Sequence, residues 1–584
     1  MKALKISLYL VAGLVVVVVA AVAIFAMTFD PNRYKGDIQR IVKERTGRTL
    51  ELKGPLELAF WPSLGAKVSG VVLSEQGTAQ PFVSLESAHA SVALLALLRG
   101  AVIVDRVRLS GLRAQIVKDK DGRFNFQDLI EQAGEKPAAK AEKKAPDSGK
   151  GTVAFDIAGV TIERAALSYH DLASGQEIAL NDLKLETGRI AENAEGKLEF
   201  ATTLKRNTPP LDATLALNGR YALKPESVAL DFTGKLDEST IKGKAAMARA
   251  KVAAYEFDLN IDKLNLDRYL ASSEKKQEKK DEPAKPAPKD KEADAPVDLS
   301  GLKGLNAKGK VEIGALQVQG LKLAAVKTEI RAADGRAEVG PHSANLYEGS
   351  LAGNLMLDGN ANRVAVKETL SNIAVGPLLR DFAQQDRLEG KGNVALDVNA
   401  AGKTVNAMKS ALAGTAKVNL KDGAVKGVDI GAIITKARSA LGSQQAQAAD
   451  GKERTDFSEL NATFAIKNGV AHNDDLDVKA PLFRVSGAGD IDVAKSAINY
   501  VVKAAVVATT KGQGGKERDD LAGLTVPVKL SGPLDAMKYE VDYRAVAGDL
   551  AKSKVGGQAK EAIEKNRGKI EDTVRDRLKG LIGR

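Results

Sequence analysis

A mainly β fold is predicted: an N-terminal transmembrane helix, then a long twisted antiparallel sheet curled into a hydrophobic groove, with few helices and an amphipathic helix at the C-terminus. Three observations predict it. Short apolar/polar alternations of period two recur along the chain, each ended by Gly, Asn or Asp after ten residues or so, which is the pattern of half-buried strands. The apolar content is small and aliphatic, with 4% aromatics and 54 glycines in 584 residues, unlike the interior of a large compact enzyme. Finally, the 24 residues from Ile6 to Phe29 carry no charge.

That uncharged run is the first element. At 1.5 Å per residue it is about 36 Å long as a helix, enough to cross a hydrocarbon core of roughly 30 Å. Lys2 and Lys5 precede it and the next positive charge is Arg33, so the N-terminus is expected in the cytoplasm and the bulk of the chain outside it. Ala21-Val22-Ala23 looks like a signal-peptide cleavage site, but the apolar run continues to Phe29, beyond a typical signal core. A helix is predicted over Tyr34 to Glu44, with Ile38, Ile41 and Val42 on one face and Gly47 as its C-cap.

Two stretches, 132–150 and 271–297, are runs of Ala, Lys, Glu and Pro that cannot bury enough apolar surface to offset their ordering entropy, so both are expected to be linkers. The second holds seven Lys and seven Asp/Glu, a solvated spacer without net charge. Beyond it the alternation is clearest in Val311–Ile313, Leu316–Val318, Leu321–Leu323 and Val326–Ile330. It returns at Phe464 and Ile466, Phe483 and Val485, Ile491 and Val493, then Ile498, Tyr500 and Val502, with Asn468-Gly469 and Asp422-Gly423 expected as hairpin turns. In the tail, Ile563, Ile570, Val574, Leu578 and Leu581 form one apolar stripe among basic residues, an amphipathic helix that either caps the sheet or docks on an anionic surface.

Each such strand has an aliphatic face that must leave water, and the predicted helices are too few to cover it. Two faces closing on each other in a β-sandwich are one answer. The other is a trough whose lining is filled by ligand. Roughly 470 residues at 10 to 12 per strand give on the order of 30 to 40 strands, and at about 4.8 Å each a sheet on the order of 100 to 150 Å long. Val311, Ile313, Leu316, Val318, Phe464, Ile466, Phe483, Val485, Ile491 and Val493 are the candidates for the lining.

Catalytic and metal motifs are missing. Cysteine is absent, which excludes disulfides and thiolate chemistry and suits an oxidising compartment. His89, His170, His342 and His472 are far apart, with no second histidine at metal-ligand spacing. Gly402-Lys403-Thr404 matches the end of a phosphate loop, but the required first glycine falls on Asp397 in an alternating stretch. No serine has glycine at both second neighbours. The formal charge of +11 is spread thinly outside the tail, where ten Lys/Arg against six Asp/Glu contribute +4, and no basic block is interleaved with aromatics, so nucleic acid is not an expected partner. Neither an enzymatic activity nor a cofactor is expected.

Several segments resemble the AsmA family of Gram-negative inner membranes. Phe29-Asp30-Pro31, Thr46-Gly47-Arg48, Gly54 and Phe60-Trp61-Pro62-Ser63-Leu64-Gly65 look like its post-anchor motif, and Asp121-Gly122-Arg123-Phe124-Asn125-Phe126 resembles the end of that region. Later, Leu346-Tyr347-Glu348-Gly349-Ser350-Leu351-Ala352-Gly353, Ile373 to Leu379, Leu388-Glu389-Gly390-Lys391-Gly392 and Asp422 to Asp429 follow in the family's order. Residues 151–270 match only as generic strands. The expected organisation is 1–29 cytoplasmic stub and anchor, 30–131 N-terminal periplasmic region, 132–150 linker, 151–270 central β region, 271–297 linker, 298–545 C-terminal β region and 546–584 helical tail. The resemblance implies an inner-membrane anchor and a periplasmic body similar to bridge-like lipid-transfer proteins, with phospholipids as ligand, a tie to outer-membrane assembly, and no catalytic residues. A periplasmic scaffold for outer-membrane protein biogenesis is the alternative reading.

Overall fold

The computed structural model describes residues 30–59, 64–92, 103–129, 156–250, 252–270, 296–426, 454–507, 525–534 and 538–542, apart from positions 209, 385 and 482. The expected span at 6–29, the linker at 132–150 and the tail at 546–584 lie outside the described residues. Among the described residues no helix is long and apolar enough to cross a membrane. The chain divides into two compact units, Met1–Lys263 with Arg268–Lys275, and Leu264–Asp267 with Lys276–Arg584.

The first unit opens on a 3-10 turn, Pro31–Tyr34, capped by Asp30, whose carboxylate accepts from the Asn32 N–H at 3.0 Å. Helix α1 (Lys35–Thr46) follows and ends at Gly47, whose φ of 68° lets its N–H reach the Lys43 carbonyl. The expected face divides: Val42 is half-buried, while Ile38 and Ile41 point to solvent, 38% and 48% exposed. Strands β1 (Leu50–Leu52) and β2 (Leu56–Ala59) both pair with β3 (Leu64–Ser74), which pairs with β4 (Pro81–Val92). β5 (Ile103–Ser110) and β6 (Arg113–Lys118) follow, then β7 (Asp156–Ile157) and β8 (Val160–Asp171). β8 runs parallel to both β5 and β6, so the generic strands after residue 151 continue the sheet of the N-terminal region. From there the chain is an antiparallel meander through β9 (Gln176–Thr187), β11 (Glu195–Arg206), β12 (Leu211–Lys224), β13 (Ser227–Leu236), β14 (Ser239–Ala248) and β15 (Ala254–Asn265), with the short β10 (Ile190–Ala191) beside β7.

Two motifs 80 residues apart in sequence meet under this unit. Arg48 has no exposed surface; its guanidinium makes two bonds to the Asp128 carboxylate, at 2.9 and 2.6 Å, and further bonds to the carbonyls of Ser74 and Asn125. It also lies 4.7 Å from the centre of the Phe82 ring.

The second unit is a meander of β16 (Asn306–Val318), β17 (Leu321–Ala333), β18 (Arg336–Leu346), β19 (Gly349–Asp358), β20 (Arg363–Ala374), β21 (Leu388–Ala401), β22 (Ala413–Lys426), β23 (Arg454–Lys467), β24 (Val470–Lys479), β25 (Phe483–Asp492), β26 (Ala497–Val506), β27 (Thr525–Pro533) and β28 (Lys538–Val541). From β16 to β28 each strand pairs antiparallel with the next. Helix α2 (Val375–Ala383) lies between β20 and β21, and α3 (Val405–Ser410) between β21 and β22. Gly402-Lys403-Thr404 is the entry to α3: the Thr404 hydroxyl accepts from the Ala407 N–H at 3.2 Å, and Asp397 lies within β21. The expected second linker reaches two residues too far, because the Val297 N–H bonds the Lys403 carbonyl at 2.9 Å and Pro296 bridges to Thr404.

Asn468-Gly469 is the hairpin turn between β23 and β24, with φ of 51° and 77°. Asp422-Gly423 is not a turn. It sits inside β22, where Asp422 at φ 48° bulges the strand, and a bulge uses the same left-handed residue that a turn does. Among the described residues buried side chains gather in two clusters. One, Leu346, Ile373, Val375, Leu420 and Phe457, lies where α2 packs on the sheet; the other, Ala480, Phe483, Val485, Ala504 and Val526, joins β25 to β27 and the turn before them.

Candidate functional site: an apolar strip across the sheet

Strand register places one residue of each of twelve successive strands on a single rung: Gly309, Ile330, Val339, Leu355, Val366, Val398, Gly414, Ile466, Ala471, Ile491, Ile498 and Gly532. All are apolar or glycine. Ten are half-buried and only Val398 and Ala471 are fully buried. Antiparallel partners point to the same side, so this is a continuous strip from β16 to β27, about 53 Å along the hydrogen-bond direction at about 4.8 Å per strand. Four residues further along, beyond one mixed rung, Ile313 pairs with Val326, and Ala344, Leu351, Leu370, Val394, Val418 and Ala462 form a rung from β18 to β23, apolar throughout as well.

The opposite face is wet. Between those two apolar rungs the alternate residues carry ion pairs, Lys310 with Glu329 at 3.7 Å, Lys327 with Glu312 at 3.7 Å, Lys367 with Asp397 at 3.5 Å, and His472 with Asp490 at 2.7 Å. The first unit repeats the arrangement. Leu109, Ile162, Leu185, Phe200, Leu217, Gly234, Ile241 and Ile261 form one rung from β5 to β15, all half-buried, with Lys184 and Glu199 paired at 3.6 Å behind it.

Nine of the ten lining candidates lie on the apolar face of the second unit. Ile466 and Ile491 are on the strip, and Val311 and Phe464 on the mixed rung beside it. Ile313 is paired with Val326 and is 8% exposed. Leu316 and Val318 have the other sequence parity. They reach the same face because β17 bulges against β18 at Ala325, φ 51°, and its partner β16 follows, the ladder between them skipping Gly314 and Ala325 before Leu316 pairs with Leu323 and Val318 with Leu321. Phe483 and Val485 share the face but sit in the buried cluster at its β25 end. Val493 follows β25 and belongs to no strand.

Sequence reasoning passed over one feature of this face. On the mixed rung, His342 and Glu368 come from β18 and β20 and meet across Gly353 of β19, with imidazole Nε2 2.9 Å from Glu368 Oε1 and 3.0 Å from Oε2. The other ring nitrogen, Nδ1, faces the Val339 carbonyl at 3.1 Å. Their side chains are 16% and 19% exposed. Gly353 makes the bridge possible, because a Cβ there would lie 2.3 Å from Glu368 Oε2. On the rungs from β16 to β22 described above, these are the only ionisable side chains on the apolar face. The signal was hidden by the irregularity between Val339 and His342, which moves an even-numbered residue onto the odd-numbered face.

The tight turn before β19 is tied to α2. Tyr347 and Glu348 take φ of 42° and 67°, the Tyr347 O–H donates to Asp381 at 2.8 Å, and its carbonyl accepts from Ala374. Burial, reinforced by that carboxylate, pushes the Tyr347 phenol up to about 12, while Tyr347 and Lys322 hold Asp381 below the usual carboxylate value. At the other end the buried Tyr500 phenol, also raised to about 12, donates to Asn473. Among the described residues no group of three or more His, Cys, Asp or Glu is placed to hold a metal.

A meander with one continuous apolar face and one charged face defines a class of proteins that present a long apolar surface along the sheet. Within that class the chain belongs to the AsmA family, whose model matches residues 1–255 and 229–476. It is similar to Protein AsmA of Escherichia coli (strain K12), with 22% identity over 614 aligned positions covering 95% of this chain and 97% of that protein.

Proposed function

We propose that this protein is anchored in the inner membrane by residues 6–29 and carries phospholipid acyl chains along its apolar strips through the periplasm, in support of outer-membrane assembly. The observation that carries this reading is the strip from Gly309 to Gly532: apolar on every strand, half-buried on most, and backed by ion pairs on the other face. Exposing one 16-carbon chain costs roughly 13 kcal/mol at about 0.8 per CH₂, so unaided transit through water is negligible and an apolar surface of this length removes most of the barrier. Membership of the AsmA family agrees with this reading. The exposed Ile38 and Ile41, a few residues after the uncharged run, suit a base at the bilayer.

Photocrosslinking residues at Ile330, Leu355 and Val366 are expected to capture phospholipid in cells, whereas Glu312, Lys367 and Asp492 on the wet face are not. Equal capture on both faces removes the conduit.

A further inference from the structure

We infer that the His342–Glu368 pair is a headgroup station, the place on the apolar face that recognises a headgroup carrying both an anionic oxygen and a primary ammonium, as phosphoethanolamine does. This rests on the conduit reading and names the lipid class for it. The pair is flanked by Val339, Leu355 and Val366 on one side and by Leu351 and Leu370 on the other. An ion pair taken out of water at best breaks even against a well-packed apolar pair, so stability alone gives no reason for one on this face. Acyl chains laid over it would strip its remaining water and leave carboxylate lone pairs unfilled, whereas a polar headgroup would satisfy them.

The geometry selects the chemistry. On binding, the Glu368 carboxylate takes the ammonium in exchange for its bond to His342, and the imidazole Nε2–H so released becomes the donor for a phosphate oxygen while Nδ1 stays on the Val339 carbonyl. A headgroup with net negative charge and no ammonium meets the same carboxylate as a repulsive neighbour, which turns the pair against it. Because Gly353 has no side chain, the pair spans β19 on one side of the sheet, and both groups meet the cargo from that side.

The test compares the full-length chain with the double variant His342→Leu/Glu368→Leu, the single variant Glu368→Gln, and a wet-face control, His472→Leu/Asp490→Leu, which removes a second histidine–carboxylate pair of similar length. Lipid co-purifying with each is classed by mass spectrometry and divided by its abundance in the source membrane. Wild type and control are expected to enrich phosphoethanolamine lipids by at least about threefold, and both apolar-face variants to fall to the membrane ratio with the same lipid per protein. Glu368→Gln keeps the size of the side chain and serves where the double variant does not fold. Enrichment that survives in the apolar-face variants, or is absent from wild type while lipid is bound, overturns the station alone. Absence of lipid from all four proteins overturns the conduit and the station together.

Discussion

Arg48 has no exposed surface and answers two carboxylates, Asp128 directly and Glu75 at 3.8 Å, so removing it orphans charges that are themselves largely out of water. Arg48→Met is expected to lower unfolding stability by about 3–5 kcal/mol, read from denaturant midpoints of the full chain. The same pair sets an acid limit. Hydrogen bonds from Arg48 hold the Asp128 carboxyl below its ordinary 3.8, so its folded value lies under its unfolded one. The stabilisation is therefore complete above about pH 4 and is lost as pH falls through the lowered value, and the gap between wild type and Arg48→Met should be constant from pH 7 to 5 and close only below about pH 4. A gap that narrows already near pH 6 would assign the effect to another group. No period or motif spacing in the sequence announced this contact; Arg48 and Asp128 are joined by a fold whose intervening strands had to be placed first.

Among the elements, the strands were the most legible part of the chain and the irregularities between them the least. Val311 and Ile313 alternate with charged neighbours and were readable as one face, but that Leu316 and Val318 share it depends on the bulge at Ala325, which leaves no mark that distinguishes it from a turn. The same ambiguity made Asp422-Gly423 read as a hairpin and kept His342 off the apolar face. Helices show the converse. α1 was legible in extent and in its Gly47 cap, yet its exposed stripe is Tyr34, Ile38 and Ile41, with Arg33, Arg40, Lys43 and Arg45 around it. Because the chain has no cysteine, single cysteines at positions 38 and 41 can carry a fluorophore cleanly in proteoliposomes of the full chain. Brominated lipids are expected to quench both several-fold more than a label at Thr78 in the exposed turn before β4; equal quenching would place α1 away from the bilayer. α2 is held by Tyr347, whose phenol stays protonated to about 12 and whose partner Asp381 stays ionised below the usual carboxylate value, so Tyr347→Phe should cost about 1.5–3 kcal/mol between about pH 5 and 10, less in acid as Asp381 protonates, and speed amide exchange in Val375–Ala383 first.

At the scale of the molecule, both units meet one constraint in the same way: a sheet with an aliphatic face and too few helices to cover it. In the second unit only α2, among the described helices, packs into a buried cluster with that face, leaving the strip from β18 to β23 half-buried everywhere but at Val398. A scaffold for protein partners would tolerate a charge there if the fold survives, whereas a surface for acyl chains would not, because each chain must pass every strand in turn. Leu355→Asp puts a carboxylate on the strip, and Ala352→Asp, exposed on the other face of the same strand, is its control. With folding verified by circular dichroism, Leu355→Asp is expected to slow exchange of labelled phospholipid between the two membranes at least about tenfold, the equivalent of about 1.4 kcal/mol at the barrier, and Ala352→Asp to leave it unchanged. Leu217→Asp makes the same change on the strip of the first unit. If lipid uses both strips, Leu217→Asp and Leu355→Asp each block transport and their combination blocks no further, since one interruption in a series already limits the flow; if the strips act as separate routes, each single variant leaves about half of the exchange and only the pair abolishes it.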